Sequence, residues 1–160
     1  MVNAMPKSTQ RPIALTIAGS DSGGGAGIQA DLKTFAAFGV HGTSAIACFT
    51  AQNPKRIFAI EAVSPRMLRQ QIEAVVEELR PSAVKTGMLF SAENIRVVAD
   101  FFGRLNPKIQ HPSLVVDPVT VSTSGTELLQ PMVIVTRTTI TELTTTWTTY
   151  TNTTITTTLP

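Results

Sequence analysis

The sequence predicts an α/β fold, a mostly parallel sheet with helices on both faces. Three observations predict it. Short apolar runs alternate with segments of helical periodicity. The first junction between them, residues 18–31 (AGSDSGGGAGIQAD), is a glycine-crowded strand-to-helix turn. A content of 42% hydrophobic and 15% charged residues suits a packed core rather than a disordered chain. Strands joined through helices of this length take right-handed crossovers and therefore lie parallel.

Taken in order, residues 13–18 (IALTIA) read as a buried strand. Ile28, Leu32, Phe35 and Ala36 then recur at i, i+4, i+7, i+8, the spacing of a helix burying one face. Residues 43–49 (TSAIACF) read as a second strand and residues 50–55 (TAQNPK) as a turn, because Asn53 and Pro54 disfavour regular structure. An extended stretch at 57–63 returns as a hairpin partner. Ser64 and Pro65 are the N-cap and first position of a helix in which Leu68, Ile72, Val75, Val76 and Leu79 share a face. Residues 83–86 (AVKT) are the next strand, and Gly87 opens another strand-to-helix turn. Ser91 caps a helix with Ile95, Val98, Ala99 and Phe102 on one side, and residues 113–116 (SLVV) form a fourth buried strand ending at Asp117 and Pro118. In such a sheet ligands bind beyond the carboxyl ends of the strands, which directs attention to Asp21, Gln52, Gly87, Met88 and residues 117–125.

Composition excludes several classes of function. Thirteen basic and 11 acidic residues give a net charge of +2 with no long basic run, which does not suggest nucleic acid or an anionic membrane as a partner. Cys48 is the single cysteine, so an intramolecular disulfide and a cysteine zinc site are excluded and a reducing compartment fits. His41 and His111 show no ligand spacing. The polar residues 1–12 read as a disordered extension without the apolar stretch of a signal peptide, and no apolar run approaches membrane-spanning length. A cytoplasmic location is expected.

Gly23, Gly24, Gly25 and Gly27 before a helix N-terminus first suggest a phosphate cradle. Neither familiar phosphate motif is present, however. The P-loop needs Gly-Lys-Ser/Thr, and no lysine appears until Lys33; the dinucleotide pattern needs glycine where Ile28 stands. So many glycines in one loop still favour a ligand site over a simple connection.

Four ordered motifs, AGSDSGGGAGIQADLKTF at 18–35, TAQN at 50–53, AVKTGML at 83–89 and VVDPV with STSG at 115–125, resemble the hydroxymethylpyrimidine and phosphomethylpyrimidine kinases of the ribokinase superfamily. The resemblance covers residues 13–131, the N-terminal, acceptor-binding half of such kinases. It implies a ribokinase-like fold and transfer of the ATP γ-phosphate, with Mg²⁺, to a small pyrimidine in thiamine biosynthesis. Pyridoxine kinase is the alternative within the superfamily. In such kinases the glycine loop covers the acceptor rather than ATP. Carried onto this sequence, Asp31 and Gln52 would bind the pyrimidine's polar edge, Gly19, Met88 and Val119 would line its ring, and Asp117 would lie near Mg²⁺ or phosphate. Plainer rivals are Asp31 as a first-turn helix carboxylate, Gln52 as loop surface and Met88 as core; Lys85 could face the phosphates or be a surface lysine, and Cys48 reads as packing. The relatives are often dimers, which makes a homodimer an expectation.

The resemblance also implies that the ATP contacts, an anion hole and the general base lie in a half that does not match here, so no catalytic residue is assigned. Residues 132–160 differ in kind, with 15 threonines among 29 residues and the only tryptophan and tyrosine, Trp147 and Tyr150. Threonine costs a helix about 0.5 kcal/mol each, so Ile140, Leu143, Trp147 and Tyr150 at helical spacing do not suffice, and disorder is expected. The abrupt shift reads as a frameshift, misassembly or truncated gene model, with apolar surface and a strand edge left open. A non-catalytic pyrimidine-binding module or a non-functional fragment is the alternative of another class.

Overall fold

The structure, a computed structural model, describes residues 11–103, 112–117 and 119, and the backbone of two short strands in the threonine-rich segment. The elements are β1 (Ile13–Ala18), α1 (Gly27–Ala37), β2 (His41–Ile46), β3 (Cys48–Asn53), β4 (Arg56–Ala62), α2 (Pro65–Leu79), β5 (Ala83–Thr86), α3 (Ala92–Gly103), β6 (Ser113–Val116), β7 (Ile134–Thr136) and β8 (Thr148–Tyr150). The predicted extension is outside the described residues through residue 10, as are His111, the STSG segment, Ile140, Leu143 and Trp147. Tyr150 ends β8, which pairs antiparallel with β7.

Strands β2, β1, β5 and β6 form a parallel sheet in that order. Period-2 alternation sorts its side chains to two faces. Leu15, Ile17, Ala45 and Val84 face α2 and α3, packing with Leu68, Ile72, Val98 and Phe102 in one core. Thr16 and its register partner Lys85 look the other way, toward Asp31 of α1. An added Cβ on Gly42 of β2 would meet Leu32 and Phe35, a measure of how closely α1 lies on that face. Strand β6 is not the buried strand expected: it is an edge of the described sheet, and Val115 is 58% exposed.

Helix α2 starts as its sequence dictates, with Ser64 accepting the Met67 amide and Pro65 at its first position, and ends at Arg80 in the left-handed region. Ser91 likewise accepts the Asn94 amide at the head of α3. Two predicted boundaries need correction. Residues 43–49 are not one strand, and residues 50–53 are not a turn. The chain leaves the sheet at Ala47, whose amide bonds to Ala18, and resumes as β3 in an antiparallel hairpin with β4. The turn is confined to Pro54 and Lys55, where the Asn53 side chain accepts the Lys55 and Arg56 amides. Two side-chain amides, one of them fully buried, fix this departure. Gln71 of α2 receives the Ile46 amide and donates to the Ile46 carbonyl, serving the edge of β2 as a neighbouring strand would. Asn94 of α3 donates to the carbonyls of Ala47 and Val63 at the base of the hairpin.

Candidate functional site

A cavity of about 340 Å³ opens beyond the carboxyl ends of β1, β5 and β6, where parallel sheets present ligand sites. The glycine loop and α1 form one wall, the β3–β4 hairpin a second, and the segments after β5 and β6 the remainder. Gly19, Asp31, Gln52, Met88, Asp117 and Val119 all line it. Residues spread over 100 positions are thus brought to one chamber.

The loop after β1 is built around a residue that the sequence alone marks only by position. Asp21 is 5% exposed. Its carboxylate accepts the amides of Gly23 at 2.8 Å, Gly25 at 2.9 Å and Ala26 at 2.8 Å, and its own amide donates to the Gln29 side chain. Amides just before a helix would ordinarily attract an external anion. Here the chain supplies the anion itself, and a phosphate would meet the Asp21 charge. Loop geometry therefore gives a physical reason against the phosphate cradle that the glycine count first suggests. Nothing in the glycine count could show this, because it depends on where one carboxylate folds back.

The floor of the chamber holds a row of charge. Asp31 Oδ2 accepts the Thr16 hydroxyl at 2.6 Å, and both its oxygens lie 3.1 Å from Lys85 Nζ. Nζ also stands 3.6 Å from Asp117. The Asp31 side chain is 17% exposed and that of Asp117 50%. Asp31 lies beyond the first turn of α1, so its partners are tertiary rather than the helix terminus. Lys85 is no free surface lysine. Gln52 sits on β3, where its backbone exchanges hydrogen bonds with the Ser22 hydroxyl and its side-chain oxygen accepts from Thr50 at 3.2 Å. These contacts tie the hairpin to the glycine loop. Met88 and Cys48 form a small apolar cluster with Ile57 and Val119 against it, and a Cβ on Gly19 would meet Sγ of Cys48 and Cε of Met88.

Cys48 is fully buried, and burial pushes its thiol from 9.0 up to about 12. The unfolded thiol ionises above pH 9 while the folded one stays neutral, so the unfolded state gains as pH rises through that window. Stability should then fall by on the order of 1.4 kcal/mol per pH unit from this group. In practice, iodoacetamide at pH 8 should leave native Cys48 unmodified and label it in urea; labelling of the native chain at a free-thiol rate would contradict the packing.

Comparison with known proteins places this arrangement. The family model described as phosphomethylpyrimidine kinase matches residues 21–153. The chain belongs to that family. It is 53% identical over 119 residues to the hydroxymethylpyrimidine/phosphomethylpyrimidine kinase of Synechococcus elongatus, covering 74% of this chain and 43% of the relative. The crystal structure of phosphomethylpyrimidine kinase from Clostridium difficile 630 superimposes with a TM-score of 0.67 at 52% identity, over 76% of this chain and 51% of that one. The ADP complex of Bacillus subtilis pyridoxal kinase is further away, with a TM-score of 0.63 and 36% identity over 70% and 41% of the two chains. The fold is ribokinase-like, and the chain spans less than half the length of the Synechococcus relative. Among the described residues no helix is long and apolar enough to cross a membrane, and no group of three or more His, Cys, Asp or Glu side chains could hold a metal ion.

Proposed function

We propose that this chain forms the acceptor-binding part of an ATP-dependent kinase that phosphorylates hydroxymethylpyrimidine and its monophosphate in thiamine biosynthesis. The observation that carries the reading is the 340 Å³ chamber whose glycine-loop amides are already filled by Asp21. Such a wall suits a neutral ring, not a phosphate. Higher identity to the pyrimidine kinases than to pyridoxal kinase, 53% against 36%, favours the pyrimidine over pyridoxine.

In this reading the aromatic ring lies among Gly19, Met88 and Val119, since apolar and thioether surfaces suit its faces. Asp31, paired with Lys85, accepts from the exocyclic amine, and the Gln52 carboxamide serves a second ring atom. The hydroxymethyl group then points toward Asp117, away from the Asp21 loop. A Mg²⁺ ion takes one or two carboxylates together with phosphates and water, so half-exposed Asp117 fits as a single protein donor beside the nucleotide. Bound there, the ion would neutralise charge on the transferring phosphoryl group. The general base and the ATP contacts belong to the part of the relatives that this chain does not span. A cytoplasmic location and a homodimer complete the proposal, with neither nucleic acid nor membrane as partner.

Isothermal titration should detect hydroxymethylpyrimidine binding, and a coupled assay with MgATP should detect no ADP release above background. Robust turnover would overturn the division of labour; absence of pyrimidine binding would overturn the acceptor site. Replacing Gln52 with alanine should weaken binding about tenfold, the loss of about one well-placed hydrogen bond. An unchanged Kd would remove Gln52 from the site.

A further inference from the structure

We infer that Lys85 is a positioning residue for the acceptor, resting on the reading above: it sets the Asp31 carboxylate in the one orientation that selects an amino-bearing ring. The case begins with hydrogen-bond capacity. A carboxylate oxygen accepts about two hydrogen bonds. Oδ2 of Asp31 already faces the Thr16 hydroxyl and the Lys85 ammonium, at 2.6 and 3.1 Å, whereas among the described residues Oδ1 faces Lys85 alone. The two partners come from adjacent strands, since Thr16 and Lys85 are register neighbours on the α1 face of the sheet. They fix the carboxylate from below and leave acceptor capacity on Oδ1, in a side chain that lines the chamber.

Charge supports the same role. Lys85 is the ammonium between two carboxylates, at 3.1 Å from Asp31 and 3.6 Å from Asp117. Without it the described partners of the Asp31 carboxylate reduce to the Thr16 hydroxyl, and repulsion from Asp117 is left unopposed. A carboxylate that can turn no longer presents a fixed acceptor to the ring, and an amino edge then gains little over an oxo edge. Lys85 therefore controls which ring edge is recognised, although its own hydrogen bonds go to protein.

The test compares binding of the 4-amino ring of hydroxymethylpyrimidine with its 4-oxo analogue in the full chain, in Lys85→Met and in Lys85→Arg. The unmutated chain should prefer the amine by at least about tenfold, as sites built around a polar partner do. Lys85→Met should lose most of that preference, and Lys85→Arg should restore it. A merely structural lysine would weaken both ligands by the same factor, and that result overturns the inference. If Lys85→Met does not fold, Lys85→Gln takes its place with the same criterion. An unmutated chain that binds neither ring defeats the acceptor reading and this inference with it. One that binds the amine selectively, and keeps its selectivity without Lys85, defeats the inference alone.

Discussion

Replacing Gly27 with alanine is expected to destabilise the chain by on the order of 3 kcal/mol and to close the chamber. Gly27 has φ +56 at the first position of α1, and a Cβ there would collide with the Gly19 carbonyl oxygen. The left-handed conformation alone costs an alanine about 1–2 kcal/mol, and forced overpacking adds about 1–3 kcal/mol. The same carbonyl accepts the Ile28 amide at 3.0 Å, so any shift that relieves the collision also breaks the bond that sets α1 against β1. Gly39 supplies the control. Its φ is +70, but an added Cβ meets nothing within 4 Å, so Gly39→Ala should cost only the conformational part. Urea unfolding of the two variants separates collision from conformation. Equal midpoints would show that the approach of Gly27 to Gly19 does not matter.

The second large effect is expected at Asp21. Truncation to alanine leaves the amides of Gly23, Gly25 and Ala26 without their acceptor in a loop closed around a buried side chain. Hydrogen bonds to a charged group contribute about 1.5–3 kcal/mol each, less what water recovers once the loop opens, so a net loss of about 3 kcal/mol follows. Pyrimidine binding should disappear with it, because Gly19, Asp31 and Gln52 are positioned through this loop and its ties to the hairpin. Asp21→Asn keeps one acceptor oxygen and should fall between. Alanine within about 0.5 kcal/mol of the unmutated chain would mean that the loop holds its shape by other means.

Replacing Asp21 would also empty the anion site at the head of α1. Added inorganic phosphate should then stabilise Asp21→Ala more than the unmutated chain in the same urea titration. Equal responses would argue against the reading of Asp21 as a built-in anion.

Local chemistry makes most elements legible in the sequence. Ser64 followed by Pro65 gave the start of α2, Ser91 that of α3, and the short runs at β1, β5 and β6 were bounded as they fold. The errors lie where a distant partner decides. Residues 43–49 look like one strand because the apolar run continues across Ala47, yet Gln71 and Asn94 claim the backbone there from helices 25 and 47 residues away. Asn53 did mark a turn, but one residue pair long and inside a hairpin rather than a loop.

By itself, the sequence determined the α/β class, the caps, the glycine loop and, through its motifs, the kinase family, because these depend on residues close together along the chain. Only the tertiary structure decided what the polar residues do. Asp21 turned a loop that looked ready for phosphate into one already holding an anion, and Thr16 and Lys85 converged on Asp31 of α1 from adjacent strands, with Asp117 beside Lys85. Periodicity and propensity are local quantities, whereas the fate of a carboxylate is set by whichever donors the fold brings within about 3 Å of it.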